Sequence, residues 1–202
     1  MIVPTKSNLM ATRRSLELAR LGFDLLDRKR NIMMREMMAL MDDATEIQAQ
    51  IGAAFAEAYA ALIEANMSIG QNAVTHISES IDIADDITLR YRSVMGVELP
   101  DLRLDPPSTT LPYGFTSTNA QLDAAYIKFH RVKALTVKAA AVENSVYRLA
   151  YAIKQAKKRA NALRNIVIPQ LEETVRYIAS YLEEKERDEF TSLKVIKGRK
   201  EE

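Results

Sequence analysis

Apolar residues recur in a seven-residue repeat along two long stretches, from about residue 9 to 68 and from about residue 119 to 193. In the first stretch, fifteen of the eighteen positions of this repeat are apolar, in one unbroken register. A repeat sustained over that length specifies a coiled-coil seam. The first seam consists of Leu9, Thr12, Leu16, Ala19, Phe23, Leu26, Arg30, Met33, Met37, Leu40, Ala44, Ile47, Ile51, Ala54, Ala58, Ala61, Ala65 and Ser68.

The second stretch keeps the same repeat as far as Pro169 and then resumes it in a shifted phase. A proline inside a helix removes a backbone hydrogen bond and clashes with the carbonyl four residues earlier. We therefore expect a kink at Pro169 that coincides with the phase slip. The seam before the proline is Val132, Leu135, Ala139, Val142, Val146, Leu149, Ile153, Ala156, Ala160, Leu163 and Val167, and after it come Leu171, Val175, Ile178 and Leu182.

Capping residues predict where both long helices begin. The first helix is expected just after Pro4, with Thr5 or Ser7 as its N-cap. Thr118 and the glutamine three residues later have the spacing of a capping box at the second helix, and Asn119 is the alternative cap.

Two glycines fall inside the first predicted helix. Gly22 and Gly52 each cost about 1 kcal/mol relative to alanine at such a position. We expect another backbone to approach closely at both glycines, because the contacts made possible by the missing side chain would then compensate for this cost.

The segment between the long stretches has a different pattern. Five apolar residues at near-helical spacing predict one short amphipathic helix: Ile77, Ile81, Ala84, Ile87 and Leu89. After it, alternation interrupted by prolines predicts a short edge-type β-hairpin around Val97, Leu99, Leu102 and Leu104.

These elements predict an all-α fold, a long antiparallel two-helix coiled coil with a small central region where the chain reverses. The segments are residues 1–68, residues 69–118 and residues 119–202, the last ending in a charged tail. At 1.5 Å per residue, the first helix would be on the order of 90 Å long. In the antiparallel register Pro169 faces roughly residues 22–30. Arg30 is charged at a seam position, and Glu172 or Glu173 would be in range to pair with it.

Composition narrows the class of protein. The 202 residues include 48% hydrophobic and 27% charged residues, which excludes a disordered polymer. There is no cysteine, so disulfides and thiolate metal sites are excluded. The formal net charge of +1 gives no overall electrostatic case for nucleic acid or an anionic membrane. No secretory signal or membrane-spanning run is found, so we expect a soluble, cytoplasmic protein.

Candidate chemistry is sparse. His76 and His130 are the only histidines, and neither has a second ligand at metal-binding spacing. Phosphate loops and nucleophile elbows are missing, so we predict a non-catalytic chain without cofactor or metal. The basic run at residues 154–159 is interpreted as a solvated face or a contact for an acidic protein partner, because no aromatic residues are interleaved for base stacking.

Five methionines cluster in the first helix. Met33 and Met37 belong to the seam, where flexible thioethers fill irregular gaps. Met34, Met38 and Met41 extend that stripe outward, either as a broad core or as a partner contact, and the pattern favours neither.

Several segments resemble the D subunit of the V-type and archaeal A-type rotary ATPases. Near the N-terminus these are Pro4-Thr5, Leu9 and Gly22-Phe23-Asp24-Leu25-Leu26-Asp27-Arg28-Lys29-Arg30. The stronger matches are Lys158-Arg159-Ala160-Asn161-Ala162-Leu163, Ile168-Pro169-Gln170-Leu171-Glu172-Glu173-Thr174-Val175-Arg176-Tyr177-Ile178, Leu182-Glu183-Glu184-Lys185-Glu186-Arg187 and Leu193-Lys194-Val195-Ile196-Lys197. The segment Leu111-Pro112-Tyr113-Gly114-Phe115 also resembles the part of the family just before the second helix. The resemblance spans nearly the whole chain and is weakest over residues 67–105.

The resemblance implies a central rotor axle. Its end with both termini would insert into the hexamer of catalytic and non-catalytic subunits. Its other end would bind the small F subunit of the rotor and reach the subunit that caps the membrane ring. Torque would pass between ATP hydrolysis or synthesis and proton or sodium translocation, with the chain peripheral to the membrane. The alternative is a free-standing coiled-coil adaptor or tether.

The resemblance also suggests which residues face each partner. The hexamer-facing shaft would include Gly22, Leu26, Arg28, Lys29, Arg30, Arg159, Asn161, Leu163, Arg164, Pro169, Leu171, Glu172 and Arg176. The region for the small partner or the ring end would include Val97, Leu99, Leu102, Leu104, Tyr113 and Phe115.

Overall fold

The computed structural model describes residues 3–81, 87–104, 113–114 and 118–200, with side chains described as far as residue 197. The predicted fold class is confirmed, because the chain is mostly helical, its long N- and C-terminal helices are in contact, and a short helix and a hairpin lie between them. In chain order the elements are α1 (Lys6–Ile69), α2 (Gln71–Glu79), β1 (Ile87–Val94), β2 (Val97–Leu104), α3 (Ala120–Ala162), a π-helical turn (Leu163–Val167) and α4 (Ile168–Lys200).

Helix α1 begins at its predicted cap. The Thr5 hydroxyl oxygen accepts a hydrogen bond from the backbone N–H of Asn8 at 3.2 Å. This bond satisfies one of the amide donors that the first turn of a helix leaves without an intrahelical partner. Of the two candidate caps, Thr5 is therefore the one used.

Helix α3 uses the alternative cap. The Asn119 side-chain oxygen accepts from the backbone N–H of Leu122 at 3.1 Å, while the Thr118 hydroxyl donates to the carbonyl of Gly114 at 3.3 Å. Asn119 directly precedes the first helical residue, so its side chain reaches the amide of the third residue of the helix.

Burial follows the predicted seams. Every position of the first seam except Ser68 is buried or half-buried, and so is every position of the second. Ser68 is exposed, and its hydroxyl accepts a hydrogen bond from the Asn119 side-chain amide at 2.7 Å. The period read from the sequence therefore identifies the face that each long helix buries.

A hairpin is present as predicted, but the four residues that predicted it, Val97, Leu99, Leu102 and Leu104, all lie in its second strand, and its turn has two residues. Strands β1 and β2 pair antiparallel from Ile87 opposite Leu104 to Val94 opposite Val97. Met95 and Gly96 form the turn with φ of 51° and 75°. Two positive φ values are the pattern of a type I′ turn, whose twist matches that of the strands it joins.

The predicted amphipathic helix is wrong beyond residue 79. Helix α2 ends at Glu79, Ile87 and Leu89 lie in β1, and Ala84 lies outside the described residues. From Ile87 the apolar residues alternate with polar ones, and pairing with β2 satisfies the backbone of this segment as a strand. Ile81 follows the helix but still packs against the core that contains Val74.

The glycine expectation is also wrong. A β-carbon added at Gly22 would meet the Leu163 side chain at 3.8 Å, an ordinary contact, and one added at Gly52 would meet nothing within 4 Å. No described backbone approaches either glycine closely. Helix α1 tolerates both because the burial of its long seam outweighs their intrinsic cost.

The chain divides into two compact units. One consists of Met1–Asn31 with Ile153–Glu202, and the other of Ile32–Ala152. We call them the terminal unit and the central unit. The terminal unit holds the start of α1, the π-turn and α4, and the central unit holds the rest of α1, α2, the hairpin and most of α3.

The predicted phase slip in the terminal unit takes the form of the π-turn. The backbone N–H of Ile168 bonds to the carbonyl of Leu163, five residues earlier, directly before Pro169. Such a turn holds one residue more than an α-helical turn, so it shifts the following apolar phase by one position. Downstream, Ile178 is fully buried and Leu171, Val175 and Leu182 are half-buried.

Two apolar clusters hold the central unit together. One joins Ala54 and Ala58 of α1 to Val132 of α3, with Phe55, Phe129 and Leu135 packed around them. The other joins Ala65 to Val74, Tyr113 and Leu122, and so connects α1, α2 and α3 where the chain reverses. Both clusters pair later residues of α1 with earlier residues of α3, as the antiparallel arrangement requires.

Candidate partner-binding surfaces

Two ion pairs align α1 with α4 in the terminal unit. Lys6 Nζ lies 2.8 Å from Glu186 Oε1, and Arg20 Nη2 lies 2.7 Å from Glu172 Oε1. At the first contact, the hydrogen bond and charge of Glu186 raise the pKa of Lys6, and those of Lys6 lower the pKa of Glu186. Both pairs are exposed to solvent, so they set the alignment more than the stability.

The expected pairing of Arg30 with Glu172 or Glu173 is wrong. Glu172 pairs with Arg20, and Arg30 instead lies 2.7 Å from Asp27 on its own helix. Arg30 also donates to the Asn31 side chain at 3.2 Å, while its Nε is buried without a hydrogen bond. An acidic residue three positions away is within reach on a helix, so the seam charge is compensated locally.

The predicted shaft residues separate into two groups by exposure. Residues of both ends of the sequence come together at Gly22, whose nearest side chain is Leu163. The half-buried group is Gly22, Leu26, Lys29, Arg30, Leu163, Leu171 and Glu172. The exposed group, which is open to a partner, is Arg28, Arg159, Asn161, Arg164, Pro169 and Arg176.

Sequence reasoning missed an exposed apolar stripe on α1. Leu18, Leu21 and Leu25 are 68%, 55% and 57% exposed, and they lie away from the seam at spacings of three and four. On the C-terminal side of the same unit, Tyr177 and Tyr181 are also exposed. Leucines at outward positions of the repeat were the signal in the sequence, because a solvated face is normally polar.

The basic run at residues 154–159 has the predicted orientation. Its seam residue Ala156 is buried, and its four cationic residues are exposed. The run therefore presents its charge to solvent, where an acidic partner could reach it.

The methionine cluster divides by burial. Met33 is fully buried and Met37 half-buried, whereas Met34, Met38 and Met41 are 42%, 61% and 47% exposed. The outer three therefore form a surface stripe of the central unit.

The residues predicted to face the small partner are mainly packing residues. Leu99 is fully buried, Tyr113 is buried, and Val97, Leu102 and Leu104 are half-buried. Phe115, Leu111 and Pro112 lie outside the described residues. These side chains hold the reversal region in shape, and the exposed side chains of β1, Ile87, Leu89 and Tyr91, are the ones turned to solvent.

Tyr113 ties the reversal region to α3. Its hydroxyl donates to Asp123 Oδ1 at 2.7 Å, and its ring packs edge-on against Tyr126 with centroids 5.8 Å apart. Burial of the phenol, and then the hydrogen bond to Asp123, raise the pKa of Tyr113 well above its ordinary value. The buried phenol therefore stays protonated, as its role of donor requires.

The hairpin contacts both long helices of the central unit. Arg92 of β1 lies 2.7 Å from Glu36 of α1. On the other side, Arg148 of α3 donates to the carbonyl of Glu98 at 3.1 Å, and its guanidinium lies 5.8 Å from the centroid of the Tyr91 ring. None of these partners was predicted, since contacts across fifty residues leave no periodic signal in the sequence.

Neither a membrane span nor a metal site is found among the described residues. No helix in those ranges is long and apolar enough to cross a membrane. Within the same residues, no group of three or more histidine or acidic side chains is placed to hold a metal ion.

Known proteins match this chain along nearly its whole length. The family of ATP synthase D subunits matches residues 8–198. The V-type ATP synthase D subunit of Thermotoga neapolitana is 42% identical over 196 residues, covering 97% of both chains. The A-type ATP synthase D subunit of Pyrococcus abyssi is 33% identical over 200 residues, covering 98% of this chain and 94% of its own. Its counterpart in Methanobrevibacter smithii is 33% identical over 200 residues, covering 98% of this chain and 87% of its own. Because the match takes in both long helices and the hairpin between them, the chain belongs to the family of ATP synthase D subunits.

Proposed function

We propose that this chain is the central rotor axle of a V/A-type ATPase, which transmits torque between the catalytic hexamer and the membrane ring. The family match over residues 8–198 carries the proposal. Torque would couple ATP hydrolysis or synthesis to proton or sodium translocation. The chain would contribute no catalytic residue itself, and it would lie on the cytoplasmic side, peripheral to the membrane.

The paired helices suit this role physically. Two helices that share an apolar seam resist bending and twisting better than one helix does. A rotor favours one hexamer conformation over another only through contacts that differ between its orientations. The surface of the terminal unit is chemically asymmetric. Leucines are exposed on one face of α1, and Arg159 and Arg164 are exposed on the C-terminal side of the unit.

The terminal unit is the part we assign to the hexamer. Its exposed cations Arg28, Arg159, Arg164 and Arg176 would meet acidic loops, and the leucine stripe Leu18, Leu21 and Leu25 would meet apolar side chains. The half-buried residues of the predicted shaft would act by holding α1 against the C-terminal helix.

The central unit is the part we assign to the small F subunit of the rotor and to the subunit that caps the ring. Leu99 and Tyr113 would support this end from within, since both are buried. Val97, Leu102, Leu104 and Phe115 remain proposed members of the same region.

Co-purification tests the assignment. A tagged copy of the full chain should bring down the hexamer subunits and small stalk subunits from cells that contain the ATPase. Arg164→Glu should weaken recovery of hexamer subunits, whereas Arg131→Glu, an equal charge change at an exposed site of the central unit, should not. A tagged chain recovered alone or as a homodimer would support the adaptor alternative and overturn the proposal.

A further inference from the structure

The β1–β2 hairpin is anchored on α3 through β2. Two backbone carbonyls of β2 accept hydrogen bonds from α3, that of Glu98 from Arg148 at 3.1 Å and that of Pro100 from the Ser145 hydroxyl at 3.4 Å. Leu99, between them, is fully buried, and Ser145 is 4% exposed. The Arg148 guanidinium also lies 5.8 Å from the centroid of the Tyr91 ring, so the hairpin has contacts to α3 from both of its strands.

The hairpin is attached to α1 by an ion pair. Arg92 of β1 reaches Glu36 through an ion pair of 2.7 Å, with side chains 52% and 31% exposed. Ion pairs at such exposure are weak, and salt screens them. The same hairpin thus has two hydrogen bonds and a cation–π contact to α3, and a solvent-exposed ion pair to α1.

A groove separates the hairpin from the helices near this contact. It has a volume of about 330 Å³ and is lined by Asp43 and Glu46 of α1, Asp101 and Leu102 of β2, and Lys138 of α3, among others. Close packing would leave no such space. Of the carboxylates in this groove, Asp101 pairs with Arg103 of its own strand, and the Lys138 ammonium lines the groove with them.

We propose that the hairpin is a strap, anchored on α3 and reversibly fastened to α1 by the Arg92–Glu36 ion pair. When this ion pair breaks, the strap swings away from α1 about its contacts with α3. This inference concerns the chain's own conformation and stands whether or not the chain is a rotor.

Spin labels test the strap on the full chain. The sequence contains no cysteine, so labels attach only at introduced ones, at the exposed Ser93 in β1 and the exposed Arg35 in α1. Arg92→Gln and Glu36→Gln should each raise the population of long label-to-label distances about two- to fivefold. About 1 M salt should also raise the population of long distances in the chain that keeps Arg92 and Glu36. In Arg92→Gln the same salt should change that population little, because the ion pair is already absent.

Matched variants distinguish the loss of the Arg92–Glu36 ion pair from the loss of a positive charge on the hairpin. Arg103→Gln removes the same charge from the hairpin, but Arg103 pairs with Asp101 of its own strand at 3.3 Å, so the distances should not change. Exchanging the charges in Arg92→Glu with Glu36→Arg should restore the short distance. Equal distance distributions in Arg92→Gln and the parent chain, or equal broadening by Arg103→Gln, would overturn the strap.

Discussion

Two glycines of this chain are expected to respond to alanine in opposite ways. Gly52 lies inside α1 with nothing within 4 Å of an added β-carbon, so Gly52→Ala should raise the free energy of unfolding by about 0.5–1 kcal/mol. Gly96 has φ of 75° in the hairpin turn, where a β-carbon is strained, so Gly96→Ala should lower it by about 1 kcal/mol. Denaturant unfolding measures both, and a loss of stability in Gly52→Ala would contradict the open space seen there.

The raised pKa of Tyr113 predicts that the folded chain loses stability at alkaline pH. Its folded pKa is raised above the ordinary value of 10.0 by burial and by its bond to Asp123. Above pH 10 the unfolded chain releases this proton more readily than the folded chain does, so stability present below that pH should fall as pH rises. Ultraviolet titration of the eight tyrosines should show one late phenol that Tyr113→Phe removes. If the late phase stays and Tyr113→Phe instead removes one phenol from the main phase, Tyr113 does not have a raised pKa.

Individual partners were the least predictable part of the structure. The sequence showed that Arg30 is a charge at a seam position, but the expected partner on the other helix was wrong, because Glu172 aligns with Arg20. A shift of a few residues in antiparallel alignment leaves an apolar repeat intact while it exchanges every charged pair. Hydrophobic periodicity therefore predicts which face is buried better than it predicts which charges meet.

The π-turn before Pro169 should depend on the seam as well as on the proline. The helix holds one residue too many for its apolar repeat before Pro169, and the π-turn accommodates that residue. This returns four apolar side chains to the buried face: Leu171, Val175, Ile178 and Leu182. Burial of Ile178 alone is worth about 1.5–3 kcal/mol. Pro169→Ala alone should therefore keep the π-turn. Deletion of the exposed Ile166 together with Pro169→Ala should give a continuous α-helix of similar stability.

A deletion elsewhere provides the control. Removal of the exposed Lys157 puts the apolar seam out of phase before the π-turn. This deletion should lower the free energy of unfolding by several kcal/mol, whereas the deletion of Ile166 should change it little. Amide hydrogen exchange and thermal unfolding measure both variants. Equal destabilisation by the two deletions would contradict the link between the extra residue and the phase slip. The kink at Pro169 stays a prediction.

Long elements were predictable from sequence and short ones only in part. Each long helix repeats its seam many times, so a few exceptions such as Thr12 or Ser68 do not hide the period. The segment around Ile87 offers only a few apolar residues, whose spacing fits a helix or a strand. Pairing with β2, a contact outside the segment itself, decided in favour of the strand.

Family membership and the physical reading of the residues agree along nearly the whole chain. Relatives with 33% to 42% identity match it over almost its full length, and the predicted fold class is confirmed. The leucine stripe of the terminal unit had a signal in the sequence, the outward position of its residues in the repeat. The contacts of the proposed strap emerged only from the structure, because a repeat pattern does not contain the partners of off-seam residues.

Site-specific photo-crosslinking in the assembled ATPase tests the proposed axle most directly. A photoreactive residue in place of the exposed Leu21 probes the terminal unit, and one in place of the exposed Tyr91 probes the hairpin. The axle predicts that position 21 crosslinks to catalytic and non-catalytic hexamer subunits, and that position 91 crosslinks to the small stalk or ring-capping subunits instead. Crosslinks from position 21 to no hexamer subunit would contradict it.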